Sequence, residues 1–226
     1  MVGSLHIIKP VICGSLIIMF TRVNLIFNHD FCVSSIITHF AHASSIKTAF
    51  LQKYGVTRVV MAREVSLDEM KHLHEETGME IEAFVHGALC YSYSGQCLFS
   101  SMIGGRSGNR GRCAQPCRLP YHVFDSQMSK ISTDDYILSL KDMCGIESLK
   151  ELHEAGVYSL KIEGRMKTPF YVATAVNAYR HAIDGDVPME IIERELDSIS
   201  HRPYSSAFYF GEMKMSHGNS GAYIQK

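Results

Sequence analysis

From Ser44 onward the chain alternates between segments of helical period and short β-branched runs. That alternation restricts the fold more than any other feature. Residues 45–54 place Ile46, Ala49 and Phe50 on one helical face, and Gly55 stops them. Residues 56–62 (VTRVVMA) are apolar except for Thr57 and Arg58, as a strand covered on both faces must be. Residues 66–77 read as a helix. Ser66 and Glu69 have capping-box spacing, and Gly78 closes the last turn. Residues 80–86 (EIEAFVH) supply the next strand. After a long irregular stretch the rhythm resumes. Residues 146–155 form an amphipathic helix with Leu149 and Leu152 inward, and residues 157–162 (VYSLKI) a strand. A helix capped by Thr168, with Pro169 at its first position, runs to about Asp184, and an acidic helix follows at 188–199.

This order predicts an α/β fold with a parallel sheet and right-handed crossovers. The expected architecture is a partial (β/α) TIM-type barrel with an irregular Cys/Arg-rich insertion. A doubly wound open sheet is the second choice. No G-x-G-x-x-G follows a strand, so a dinucleotide site is unsupported. The expected organisation is a divergent segment at 1–43, a barrel-like catalytic domain at 44–200, and the start of a C-terminal element at 201–226. At 46% hydrophobic residues, the 226-residue chain can bury one sizeable core, while a net charge of -1 names no partner. Residues 11–20 are apolar but shorter than the ~20 residues that cross a bilayer. Lys9 is the only early base, and no A-x-A cleavage pattern follows. A cytoplasmic protein with no membrane partner is expected, and the sequence does not reveal its oligomeric state.

The irregular stretch, 87–120, is where chemistry is expected. Four of the seven cysteines fall there, Cys90, Cys97, Cys113 and Cys117, spaced C-x6-C-x15-C-x3-C. Disulfide scaffolds are short and cysteine-dense, so clustering inside an α/β pattern points to reduced thiols and a metal. Only Cys113 and Cys117 have the spacing of a zinc knuckle. An iron–sulfur cluster on four thiolates suits the rest better, although spacing alone leaves cluster, zinc and no metal open. Residues 83–124 contain no Asp or Glu, yet hold Arg106, Arg110, Arg112 and Arg118. The resulting positive field would stabilise thiolates and would equally attract RNA phosphate or a small anion.

A second constellation is KIEGRMK, 161–167. Barrel enzymes carry active residues at the C-terminal ends of strands. Glu163 and Arg165 are therefore candidate catalytic residues, joined by Arg63, which follows the strand at 56–62. Lys161 and Lys167 are candidate substrate or RNA contacts. The histidines are weaker candidates: no H-E-x-x-H or G-x-S-x-G occurs. His86 lies close enough to Cys90 for a Cys–His nucleophile pair to be considered.

The run EAFVHGALCYSYSGQCLFS (82–100) resembles the signature of the collagenase-like peptidases of unknown catalytic type, E-x-F-x2-G-[SA]-[LIVM]-C-x4-G-x-C. Glu82, Phe84, Gly87, Ala88, Leu89, Cys90, Gly95 and Cys97 match it, while Phe99 departs mildly from the pattern. GNRGRCAQPCR, LSLKDMC, SLKIEGRMK and HRPYSSAFYFG are also similar to family sequence, and the resemblance covers about 44–211. It implies proteolysis in some members. In others it implies hydroxylation of a tRNA uridine or rRNA cytidine, or assistance to ubiquinone hydroxylation. It further implies a 4Fe-4S cluster on Cys90, Cys97, Cys113 and Cys117, and prephenate as a cosubstrate of the tRNA branch. The expected function is RNA hydroxylation of the tRNA uridine type. The alternatives are a peptidase acting on protein, and a non-catalytic fragment or assembly partner, since the early strands of the barrel and a further domain after Gly211 are not evident.

Overall fold

The computed structural model describes residues 22–26, 50, 52–53, 56–94, 96–132, 135–164 and 167–211. Its elements are β1 (Arg22–Ile26), β2 (Arg58–Val60), α1 (Leu67–Thr77), β3 (Glu80–Ala88), α2 (Phe99–Gly104), β4 (Asp142–Cys144), α3 (Leu149–Glu154), β5 (Val157–Glu163), α4 (Pro169–Asp184), α5 (Met189–Asp197) and β6 (Tyr204–Ser205). Local chemistry sets several boundaries. The Ser66 hydroxyl accepts from the Glu69 N–H, the Glu69 carboxylate accepts from the Ser66 N–H, and Gly78 ends α1 in the left-handed region. Thr168 caps α4 through the Tyr171 N–H, with Pro169 at the first position and Gly185 left-handed at the end.

Six strands form one mixed sheet in the order β1-β5-β3-β4-β6, with β2 on β3. Glu82 pairs with both Val60 of β2 and Ser159 of β5, and His86 with both Cys144 of β4 and Ile162 of β5. One edge of β3 is therefore occupied by β5, and β2 and β4 divide the other. The pairs β2/β3, β3/β5 and β4/β6 are parallel, whereas β1/β5 and β3/β4 are antiparallel. These pairings correct two expectations. The sheet is not wholly parallel, and among the described residues it does not close, so the α/β class holds without the barrel. The antiparallel turn-back is possible because β4 reaches β3 through the long irregular segment rather than through a crossover helix.

Smaller differences have local causes. The helix expected at 146–155 splits into a 3-10 turn, Ile146–Ser148, and the short α3. The irregular stretch holds α2 and two further 3-10 turns. Phe124 and Lys130 form an isolated antiparallel bridge beyond it. The apolar run 11–20 and most of the helix expected at 45–54 lie outside the described residues. Residues after 200 join the sheet through β6 and bury Ala207 and Tyr209 in the core.

The core sits on both faces of β3, where residues 81–87 are continuously buried. Val85, Leu152, Leu160, Ala175, Ala178 and Tyr179 are sealed from solvent. The register of β3 against β5 shifts between Phe84 and His86. At this step tyrosines meet the backbone of β3. Tyr209 Oη donates to the Phe84 carbonyl (2.6 Å) and Tyr179 Oη to the Val85 carbonyl (2.7 Å), while the Gly145 N–H reaches both Val85 O and Tyr179 Oη. A Cβ at Gly145 would stand 2.8 Å from the Tyr209 ring, so only glycine lets the chain pass this close. Tyr179→Phe removes a buried donor from the Val85 carbonyl. It is expected to cost about 1–3 kcal/mol of stability, read as a lower urea midpoint with an unchanged slope.

Candidate functional site

Because β2, β3 and β5 run parallel, the residues after their C-terminal ends share one rim. Arg63 follows β2 and Glu163 ends β5, 100 residues apart in sequence, and they form a 2.6 Å ion pair. The Arg63 guanidinium lies 3.9 Å over the Phe84 ring, which holds it flat against the sheet. Gly87 makes this approach possible. Its φ is +110°, and a Cβ there would lie 2.7 Å from the Glu163 carbonyl oxygen. The third candidate catalytic residue, Arg165, lies outside the described residues.

The cysteine loop is tied over this rim at two points. Glu64, beside Arg63, accepts from the Ser94 N–H (2.7 Å) and hydroxyl (3.0 Å), between Cys90 and Cys97. Arg118, next to Cys117, is buried and donates to the carbonyls of Leu89 and Leu140 and to the Ser139 hydroxyl. It thereby straps Cys117 to the residue preceding Cys90. All four cysteines are free thiols, Cys90 exposed and the others half-buried. The Cys117 thiol is pushed up chiefly by burial. Arg118 opposes this, and the charges of Cys90, Cys113 and Cys97 add to it, so each of these three thiols lies within electrostatic reach of Cys117. The Cys113 sulfur also accepts from the Gln115 N–H. Among the described residues no three His, Cys, Asp or Glu side chains stand in a preformed metal-ligand arrangement. Four thiols are soft donors that suit a soft metal or cluster, but the side chains described do not stand in a ready-made ligand set.

The candidate cations separate into two groups. Arg106, Arg110 and Arg112 are exposed, with Arg106 Nε donating to the Arg112 carbonyl. Tyr91 and Tyr93 are exposed on the same loop. Lys161 instead lies in the core with its ammonium on the Glu82 carboxylate, which also accepts from Ser159. Withdrawing one partner of such a buried pair costs about 3–5 kcal/mol, more than one surface phosphate contact returns. Arg118 is committed inward in the same way. Lys167 is intermediate: half-buried, bonded to the Ser200 carbonyl (2.8 Å), and 4.4 Å over the Tyr171 ring.

Asp142 and Arg202 gave no separate signal in sequence. Asp142 on β4 accepts from the side chain and backbone N–H of Arg202, forming a second buried ion pair at this rim. His86 is sealed among the rings of Tyr171, Tyr179 and Tyr204. Neither of its nitrogens has a partner among the described residues, so it forms no pair with Cys90. Asp142 and Arg202 lie in the runs LSLKDMC and HRPYSSAFYFG, whose likeness to family sequence was the available clue.

The fold and site define a class of α/β protein in which a thiol- and arginine-rich loop caps the C-terminal ends of parallel strands. Residues 11–219 match the model described as peptidase family U32, and the chain belongs to that family. The match begins well before Ser44, so it takes in a segment with no legible signature. The chain is 46% identical over 138 residues to the 23S rRNA 5-hydroxycytidine synthase of Escherichia coli, covering 61% of this chain and 21% of that protein. It is 39% identical over 175 residues to tRNA hydroxylation protein P1 of Bacillus subtilis, covering 72% and 42%. It is 36% identical over 174 residues to a collagenase of Porphyromonas gingivalis, covering 68% and 42%. The chain thus spans less than half the length of these curated relatives. No solved structure matches it. No helix among the described residues is long and apolar enough to cross a membrane.

Burial lowers the His86 pKa from 6.5 to about 4. Asp142 opposes this, and Lys167 and His201 reinforce it. The unfolded chain takes up this proton near pH 6.5 and the native chain only near 4, so between those values the unfolded state binds more protons. Stability is therefore expected to fall as pH drops through that window, by about 3 kcal/mol from this residue, and to be unaffected by it above pH 7. Urea unfolding of wild type and His86→Gln between pH 7.5 and 4.5 checks this. The two stability curves should converge on acidification, and parallel curves would remove His86 as the cause.

Proposed function

We propose that this chain is the cluster-bearing part of an RNA-hydroxylating enzyme, with a 4Fe-4S cluster held by Cys90, Cys97, Cys113 and Cys117. The observation that carries the reading is the set of four free thiols on one carboxylate-free loop strapped to the rim by Arg118 and Glu64. A cluster on such ligands supplies one-electron chemistry. The rest falls to the chain's own side chains. Exposed Arg106, Arg110 and Arg112 meet RNA phosphates, and exposed Tyr91 and Tyr93 offer faces on which unpaired bases stack. Glu163, oriented by Arg63, presents a carboxylate at the mouth that can accept a hydrogen bond from a base edge. RNA is the substrate because relatives named for rRNA and tRNA hydroxylation align over this region. Within them the tRNA uridine type is the favoured reaction, with prephenate as anionic cosubstrate and the cytoplasm as the place of action.

The peptidase alternative draws on relatives named collagenase. Its obvious nucleophile pair is not formed, since His86 is buried without a partner among the described residues.

Anaerobic reconstitution with iron and sulfide tests the reading. The wild-type chain should take up about four irons and four sulfides and become coloured. Serine at Cys90, Cys97, Cys113 or Cys117 should each abolish most of that uptake. Cys144→Ser, a free thiol half-buried on β4, should not. A colourless, iron-free wild type, or equal loss with Cys144→Ser, would overturn the assignment. Gelatin cleavage lost with Cys90→Ser would instead support the peptidase.

A further inference from the structure

The cysteine loop carries an exposed apolar surface that neither a cluster nor RNA would use. Leu98, Met102 and Ile103, on and beside α2, are 61%, 82% and 64% exposed. Leu98 directly follows Cys97, and exposed Leu119 lies just past Cys117. Aliphatic side chains give a base no ring to stack on and a phosphate no donor, so RNA contact leaves them idle. Single exposed apolar residues are ordinary, whereas several on one short element mark a surface where another molecule docks.

The helix is fixed against the thiols. Its buried Ser100 hydroxyl accepts from the Ala114 N–H (2.9 Å), next to Cys113, and the Ser100 carbonyl accepts from the Arg106 N–H. Arg106 Nε donates to the Arg112 carbonyl, which ties the turn after α2 to the approach to Cys113. The Phe99 and Tyr121 rings, 5.9 Å apart, join the start of α2 to the segment beyond Cys117. A body seated on the outer face of α2 therefore comes close to the cysteines without touching the sheet.

The charge around this surface restricts what can sit there. Residues 83–124 contain no Asp or Glu, and Arg106, Arg110 and Arg112 are exposed beside α2. An apolar centre with a charged border is the anatomy of a protein interface, and a border of one sign calls for carboxylates on the partner. A bilayer fits less well. Helices that lie in a membrane surface are long and amphipathic, whereas α2 has six residues and stops at a left-handed Gly105.

We infer that α2 and its arginine border form the docking site for a small acidic protein that carries one electron to the cysteine loop. The electron step rests on the cluster reading of the preceding section. One electron leaves the reduced carrier, which is oxidised, and enters the cluster, which is reduced; no atom or proton is transferred. Complexes of this kind bury little area, which suits a patch of a few side chains.

The test uses the full chain, both iron-free and after anaerobic reconstitution. A plant-type 2Fe-2S ferredoxin serves as the acidic carrier and cytochrome c as a basic one. Calorimetry at low salt should show saturable ferredoxin binding to both preparations, weakening as salt rises, and no binding of cytochrome c. A paired Met102→Ser and Ile103→Ser variant should bind ferredoxin about tenfold or more weakly. Met189→Ser, exposed on α5, should bind it as wild type does. The paired variant should keep its circular dichroism, its iron uptake and its affinity for a short single-stranded RNA. Reduced ferredoxin, freed of excess reductant, should bleach the reconstituted wild type by one electron and bleach the paired variant more slowly. Absence of ferredoxin binding, or unchanged binding by the paired variant, would overturn the inference. So would an equal loss of RNA binding, or self-association of the wild type that the paired variant abolishes, since the surface would then belong to RNA or to a second copy. A chain that takes up no iron sinks the cluster reading and the electron step with it. A chain that takes up iron and binds no ferredoxin sinks this inference alone.

Discussion

Arg118 enters the protein from the cysteine loop and ends on two main-chain carbonyls and a serine hydroxyl. A guanidinium presents five donors in a fixed plane, so three acceptors from two chain segments fix the loop in both position and orientation. Leu89 lies just beyond β3, and Ser139 and Leu140 just before β4. One side chain therefore joins the end of the central strand, the approach to its antiparallel neighbour, and the turn that carries Cys117. The loop's remaining tether, Glu64 to Ser94, is partly exposed and weaker, because water competes for the same carboxylate. The placement of the thiols depends mainly on the arginine.

The rim shows how differently apparently similar charges can be used. Lys161 and Glu82 neutralise each other within the sheet, and Arg63 and Glu163 do so at its edge. Arg106, Arg110 and Arg112 face solvent. Arg202 pairs with Asp142 in the interior, and half-buried Lys167 beside them is bonded to the Ser200 carbonyl. Composition cannot reveal this, since the chain as a whole is nearly neutral.

What the sequence made legible was mostly local. The Ser66–Glu69 box and the Thr168–Pro169 start each depend on neighbours within four residues, and both appear as expected. The convergence of Arg63 with Glu163 was also approachable, because residues following parallel strands share an end. β4 and β6 were not, since strands of three and two residues carry no periodicity and exist only through their partners. The open, mixed sheet follows from those partners. The inward course of Arg118 was equally hidden. An arginine among exposed arginines looks like its neighbours until its distant carbonyl acceptors are in place.

The Asp142–Arg202 pair closes the rim with residues 60 positions apart, the second of them near the end of the described chain. During synthesis the cysteines are made long before it. Cys90 through Cys117 must wait, reduced and unstrapped, until Ser139 and Leu140 can receive Arg118 and Arg202 can secure β4. The thiols are thus most exposed to stray oxidation while the polypeptide is still growing, and a nascent chain arrested before residue 202 would carry its sulfurs without the frame that gathers them.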